Sequence, residues 1–339
     1  LNNTIKDIAL AAGVSKSTVS RVISGKGYAS KETYAKVLNA IKELNYKPNG
    51  VARAMVSQRT NTIGVIIYRQ YHPIASHPFY GKILDAILMK AESMNVSVFV
   101  TTDMEMSLSS ADFMFEKRVD GLILISRLNQ EIIRHIDESQ VPYVMVNGTT
   151  DKEDIIQLVN QDLQGGRMMA DHIYELGHRN VCVIAGPQKH RSHQLRYRGF
   201  CERMSELGCE VQPGMTYFSP TSMFADGYKG LTQSLEQFSN RKPTALFATN
   251  DMLALGATKA LLEKGVRIPD QMAVAGFDNI DYSEMAYPPL TTVHVDKLRM
   301  GEDAVTLLGQ LINNEHVKPR LIEYEQRLIV RESTKGYNR

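Results

Sequence analysis

The sequence predicts an α/β protein in two parts. An N-terminal three-helix head carrying a helix-turn-helix is followed, after a short hinge helix, by a larger body of two lobes, each with its own parallel sheet. Three observations carry this. The start of the chain shows only helical periodicity, punctuated by caps and a glycine turn. From Thr62 onward short apolar runs alternate with amphipathic stretches, the texture of βαβ repetition. Charge divides at the same place. Residues 1–60 hold ten Lys and Arg against three Asp and Glu, a formal +7, and the remainder of a chain of net charge +2 holds −5. A basic head on a mildly acidic body points to a polyanion partner for the head alone.

The first helix opens at Thr4, a capping residue with Asp7 three positions on, and Ile5, Ile8, Ala9 and Ala12 make its apolar face. Gly13 supplies the positive φ that ends it. Ser15 caps a second helix, which Val19, Val22 and Ile23 hold to the first. Its opposite face gathers Lys16, Ser17, Ser20, Arg21 and Ser24, short donors and acceptors with two long cations. A major groove admits one helix and rewards such side chains at base edges and phosphates, whereas a solvated bundle face is the plainer reading. Ser30 caps a third helix, with Tyr34, Val37, Leu38, Ile41 and Leu44 as its inner face. Asn49–Ser57 has a cap and helix formers but fewer than ten residues, so it is a plain linker or a hinge that folds only against a partner.

In the body the predicted strands are 63–68, 97–102, 121–126, 142–147, 156–160, 181–185, 244–249 and 272–277. Helices are expected near 81–94, 108–117, 130–139, 165–176, 195–208, 226–239 and 251–264. One sheet this long would be unusual, and two similar halves fit better. Ligands of open α/β sheets bind beyond the carboxyl ends of the strands, so facing halves would share a cleft with polar groups at each strand end.

Other readings fare poorly. No apolar run approaches a membrane span, and the start does not read as a secretory signal, so a cytoplasmic protein is expected. Cys182, Cys201 and Cys209 are odd in number and lack metal-ligand spacing, which fits reduced thiols. His190 and His193 have no third ligand in a recognisable motif, and Asp278–Asp281 lacks the length and glycine of an EF-hand. Gly165-Gly166 has neither a P-loop lysine nor a complete GxGxxG, and no serine sits in a nucleophile elbow. The sequence therefore implies no enzyme activity, metal or cofactor.

Motifs spread along the chain resemble the LacI/GalR family of bacterial transcription regulators. They include Thr4–Ala9, Gly13-Val14-Ser15, Thr18–Val22, Leu44–Asn49, Lys117–Gly121, Glu175–Arg179, Ala185-Gly186-Pro187, Asn250–Ala254, Gly276–Asn279 and Pro289–Val293, in the family's order over nearly the whole length. The resemblance implies a DNA-binding head at 1–48 and a hinge helix and linker at 49–60. It implies a dimerising first lobe at 61–160 plus 293–320, and a second lobe at 161–292 plus 321–339, together like a periplasmic sugar-binding protein. It implies a homodimer on a palindromic operator, repression as output, and a small-molecule effector in the cleft, a sugar or sugar derivative first and a nucleobase or phosphorylated metabolite second. Carried over by position, Lys16, Ser17 and Arg21 would read bases. Thr4, Ser15, Thr33 and Asn49 would hold phosphates, and Met55 would wedge the minor groove where the family usually has leucine. Phe79, Arg196, Asn250 and Asp278 would line the effector cleft, with Tyr80 and Phe224 as further aromatic wall. Gln161-Asp162 departs from the family's frequent Asp-Asn. The segment 188–193 is basic enough to suit a phosphorylated or acidic effector. The competing reading is a solute-binding protein whose basic head is incidental.

Overall fold

In a computed structural model the described residues are 3–24, 28–46, 59–68, 74, 76–103, 108–126, 130–150, 152–239 and 242–335. They fall into two units, a head within 1–62 and a body within 63–339. The head has helices α1 (Ile5–Ala12), α2 (Lys16–Ser24) and α3 (Lys31–Glu43). The Asp7 carboxylate accepts from the Thr4 backbone N–H and hydroxyl, both at 2.7 Å. Gly13 turns the chain at φ +65°. Ser15 Oγ accepts from the Thr18 N–H at 3.1 Å and Ser30 Oγ from that of Thr33 at 3.2 Å. Ile8, Val19, Val22, Val37, Ala40 and Tyr46 are buried together. One sequence expectation fails here: Leu38 is half exposed and Tyr34 is 40% exposed. The buried stripe of α3 runs through Val37, Ala40, Ile41 and Leu44, and Leu38, one residue on from Val37, is turned by about 100° away from it.

The body begins with β1 (Thr62–Tyr68), α4 (Tyr80–Ser93), β2 (Ser97–Asp103), α5 (Ser109–Glu116), β3 (Gly121–Ile125), α6 (Gln130–Glu138), β4 (Tyr143–Val146) and β5 (Ile156–Asn160). It continues with α7 (Asp162–Glu175), β6 (Val181–Ala185), α8 (Arg191–Glu206), β7 (Thr216–Phe218), α9 (Phe224–Ser239), β8 (Ala245–Ala248), α10 (Asp251–Glu263), β9 (Ala273–Asp278), α11 (Asp281–Met285) and β10 (Thr291–His294). Then follow α12 (Lys297–Ile312), β11 (Leu321–Tyr324) and β12 (Arg327–Ile329). The strands form two six-stranded sheets, in the orders β11-β5-β4-β3-β1-β2 and β12-β10-β9-β8-β6-β7. Central strands such as β3, β4, β6 and β8 are buried along their whole length, as parallel strands covered on both faces must be.

The chain crosses between sheets after β5, after β10 and after β11. The last two crossings correct the expected lobe boundaries. β10 ends at His294 inside the second sheet, and β11 pairs in parallel with β5, so residues 321–324 belong to the first lobe. β11 is a short, half-exposed edge strand with no apolar run to announce it. α7 and α8 start earlier than expected, at Asp162 and Arg191, because their first turns lack the apolar periodicity that marks the rest of each helix.

The two helices pack almost backbone to backbone. A Cβ on Gly166 would lie 2.2 Å from the Arg196 carbonyl oxygen, and one on Gly199 would lie 2.0 Å from that of Leu163. This approach brings Arg196 of α8 beside Asp162 of α7.

Candidate functional site

In the head, Lys16, Ser17 and Arg21 are exposed on α2. Ser17 Oγ shares a 2.7 Å hydrogen bond with the capping Ser15 hydroxyl, which also meets Thr18 Oγ1 at 2.9 Å. Thr4, Ser15 and Thr33 have one feature in common: each sits at the first turn of one of the three helices, where backbone N–H groups and the helix dipole favour an anion. Asn49 and Met55, with the hinge they belong to, lie outside the described residues.

In the body, a cleft of about 500 Å³ opens at the carboxyl ends of both sheets. The first lobe contributes His77, Phe79, Tyr80, Ser126 (after β3) and Asn147 (after β4). The second contributes the 187–193 segment, Arg196, Phe218 to Met223, Asn250 and Asp278. His77 Nδ1 accepts from the Phe79 and Tyr80 backbone N–H groups at 3.2 and 3.3 Å, fixing where α4 begins. Phe79 and Tyr80 meet edge to face at 5.1 Å. The Tyr80 hydroxyl donates to Ser126 Oγ and accepts from Asn147 Nδ2, each at 3.3 Å, and Ser192 Oγ of the other lobe donates to Asn147 Oδ1 at 3.4 Å. Lys82 of α4 in the first lobe also pairs with Asp281 of α11 in the second at 2.8 Å.

Arg196 borders the cleft, but its guanidinium is engaged largely within the protein. It is buried, with Nε on Asp162 Oδ1 at 2.8 Å and Nη1 on both Asp278 and the Thr249 carbonyl, at 2.8 and 2.9 Å. Its guanidinium also stacks on Phe277 at 3.9 Å. A single guanidinium thus sits between two carboxylates, and it braces Asp278. The departure at Asp162 is thereby explained: it holds Arg196 and does not line the cleft. Asn250 serves two ends at once. Its Oδ1 caps α10 through the Leu253 N–H at 3.0 Å, Nδ2 donates to the Ser222 carbonyl at 2.9 Å, and the side chain still borders the cleft.

The basic look of 188–193 is only partly real. Burial holds the His193 imidazole well below the usual histidine range, so it is neutral at pH 7. Its ring bridges Thr249 Oγ1 and Ser222 Oγ, both at 2.7 Å, while Thr249 Oγ1 accepts from the Gly186 N–H at 2.9 Å. The chain Gly186–Thr249–His193–Ser222 ties the 219–223 loop to α8 and β8. Phe224 falls outside the cleft. Met223 takes the lining position, and Phe224, starting α9, borders a separate depression with Leu255, Tyr282, Met285 and Tyr287.

Sequence reasoning passed over Ser126 and Asn147, and named Ser192 and His193 only as part of the basic 188–193 segment. A signal existed for the first two. They are the polar residues that end predicted strands, and both take positive φ, +70° and +54°, as residues do where a strand turns abruptly. Among the described residues no group of His, Cys, Asp and Glu could hold a metal ion, and no helix is long and apolar enough to cross a membrane.

Residues 4–49 match the family model of the bacterial regulatory proteins of the lacI family, and residues 170–334 match that of the periplasmic binding protein-like domain. The chain is 34% identical over 343 residues to the HTH-type transcriptional repressor PurR of Pasteurella multocida, covering 98% of this chain and 99% of that one. Among solved structures, the lac repressor dimer bound to operator and the anti-inducer ONPF superposes with a TM-score of 0.86 at 28% identity, with 98% and 99% of the two chains covered. The transcriptional regulator CelR–cellobiose complex gives 0.74 at 28% identity, covering 98% and 100%.

Proposed function

The chain belongs to the lacI family of bacterial regulatory proteins and is a DNA-binding repressor of that family, and from this premise we propose what it reads and what switches it. It binds a palindromic operator as a homodimer, with Lys16, Ser17 and Arg21 at base edges. Thr4, Ser15, Thr33 and Asn49 hold phosphates, and Met55 sits at the central minor groove. A small hydroxylated effector, a sugar or sugar derivative, lies between the lobes and biases their relative angle. To do so it must bind one lobe arrangement better than the other.

The observation that carries the effector reading is the lining of the cleft. Hydroxyls (Ser126, Ser192, Ser222), amides (Asn147, Asn250) and a carboxylate (Asp278) surround two aromatic rings, Phe79 and Tyr80. Adjacent hydroxyls on a ring need such paired acceptors and donors, and an aromatic face covers the ring's apolar side. Lys189 and His190 at the same cleft favour a second reading, a phosphorylated sugar.

Thermal-shift titration of the intact protein with D-ribose, D-galactose, cellobiose, glucose 6-phosphate and adenine separates these. A ligand at a hundred times its Kd stabilises by about 2.7 kcal/mol. A shift with a neutral sugar supports the first reading, and one confined to glucose 6-phosphate supports the second. A shift with adenine alone overturns the sugar class. Selection of genomic fragments at two salt concentrations, with and without residues 1–59, tests the DNA side. One palindrome surviving high salt in the intact chain alone is the expected result. If the shortened chain performed every measurable function, the solute-binding reading would replace this one.

A further inference from the structure

We propose that Lys297 is a positioning residue of the effector cleft: its ammonium pins the Asp278–Asn279 turn to the hinge between the lobes and so sets where the Asp278 carboxylate points. The proposal rests on reading the cleft as an effector site, but its geometry stands independently of any effector.

Lys297 opens α12, directly after the second crossing between the sheets, and is buried. Nζ donates to three backbone carbonyls: Asp278 at 2.5 Å, Asn279 at 3.1 Å and Val295 at 3.0 Å. Asp278 and Asn279 are consecutive non-glycine residues at φ +109° and +51°. A non-glycine residue at +109° is strained and persists only where its surroundings over-determine it. Here the surroundings are of two kinds. Arg331 Nη2 and the Thr292 hydroxyl hold the Asn279 side chain and N–H, at 2.9 and 3.2 Å. The ammonium holds the carbonyls. It also lies 5.9 Å from the centre of the Phe79 ring, so one cation meets the first lobe's aromatic wall and the second lobe's acidic turn.

A buried ammonium is costly unless it is paired and hydrogen-bonded, and here three carbonyls accept from it. Burial lowers the Lys297 ammonium below the usual lysine range, against the opposing pull of Asp278, Asp251, Asp281 and Asp296. Asp278 in turn faces Arg196 and Asp162 as well as Lys297. The ammonium thus holds strained carbonyls and partly offsets a crowd of carboxylates, which an apolar side chain of the same length would not do.

Lys297→Met keeps the stem and removes the charge, and Lys297→Arg keeps the charge. Amide hydrogen exchange on the full-length chain is the test. In K297M the Asn279 and Ile280 amides are expected to exchange about tenfold faster or more, with β6 and α7 unchanged and K297R restoring most of the protection. The midpoint of thermal unfolding should also fall more steeply between pH 4 and pH 8 in K297M, because Asp251 and Asp278 then hold their protons to higher pH. Unchanged exchange at 279–280, or a uniform rise across the body with a pH-independent drop in midpoint, would overturn the proposal. Failure of every compound in the thermal-shift series would instead remove the effector site and leave the pin in place.

Discussion

At the scale of single residues, the second lobe carries more buried charge than its cleft displays. Asp251, the first residue of α10, accepts from the Thr292 hydroxyl at 2.6 Å and the Ile280 N–H at 2.9 Å. Burial, with Asp278 nearby, pushes its carboxyl up to about 7. The folded chain therefore holds a proton that the unfolded chain releases near pH 4, so this site is neutral in both states below pH 4. Stability is lost as pH rises from about 4 to about 7, by on the order of 4 kcal/mol at 1.36 kcal/mol per pKa step. Asp251→Asn cannot ionise. Relative to the parent, its unfolding midpoint should climb across that window and level off above it, whatever fixed cost the altered hydrogen bonds carry. A difference that stays flat from pH 4 to pH 8 would show that Asp251 is ionised throughout. The same residues mark how far sequence reading reaches. Asn250 and Asp278 are identifiable because motifs fix their positions, whereas Phe79 and Tyr80 lie in no such motif and rest on their place in the family's order. That Arg196 is held by Asp162 and Asp278 is not identifiable, because Asp162 lies 34 residues away and meets it only through the crossing of α7 and α8.

At the scale of elements, what was legible is what is local. Caps, the Gly13 turn and the strand runs depend on a few neighbouring residues, and the structure has them where the pattern puts them. Edge strands β7, β11 and β12 are three or four residues long and half exposed, so their existence depends on a partner strand and not on their own composition. Phe224 fails for a related reason. A one-residue difference at the start of α9 exchanges the cleft for the outer surface. Helix contacts are equally non-local, and the α7–α8 crossing gives a direct test. Gly199→Ala would force a Cβ onto the Leu163 carbonyl, which is backbone and cannot swing aside. Overpacking of this kind typically costs about 1–3 kcal/mol. The unfolding midpoint should drop accordingly, and any sugar found to bind the cleft should bind more weakly, since Arg196 rides on the same helix. Gly208→Ala makes the comparison: that glycine is at φ +73° with open space around it, so its cost is conformational and should leave sugar binding alone. Equal losses of binding in the two variants would detach the cleft from the helix crossing.

For the whole molecule, two surface properties bear on the proposed dimer on DNA: a head of formal charge +7 and an apolar face on the body. The depression bordered by Phe224, Leu255, Leu262, Tyr282, Met285 and Tyr287 leaves Met285 77% and Tyr287 86% exposed in the single chain. Side chains of this size, grouped and that open to water, mark an interaction surface more often than a monomer's exterior. On the first lobe, Phe99 and Phe113 form a second, smaller exposed pair on β2 and α5, so the dimer contact expected there would extend to the other lobe. Two-fold readers place their recognition helices about one helical turn apart, and that spacing is set by the dimer and not by the head. If the proposed dimer forms through this face, Met285→Glu should convert it into a monomer by sedimentation while leaving the thermal midpoint of the body nearly unchanged at low protein concentration, since the side chain is largely exposed in its own chain. Operator affinity should fall far more than non-specific binding, because each head still neutralises its phosphates but only one half-site is read at a time. A variant that stays dimeric by sedimentation would move the interface elsewhere on the body. A variant that becomes monomeric yet holds the palindrome as tightly as the parent would mean that one head suffices, and the two-fold operator would lose its physical reason.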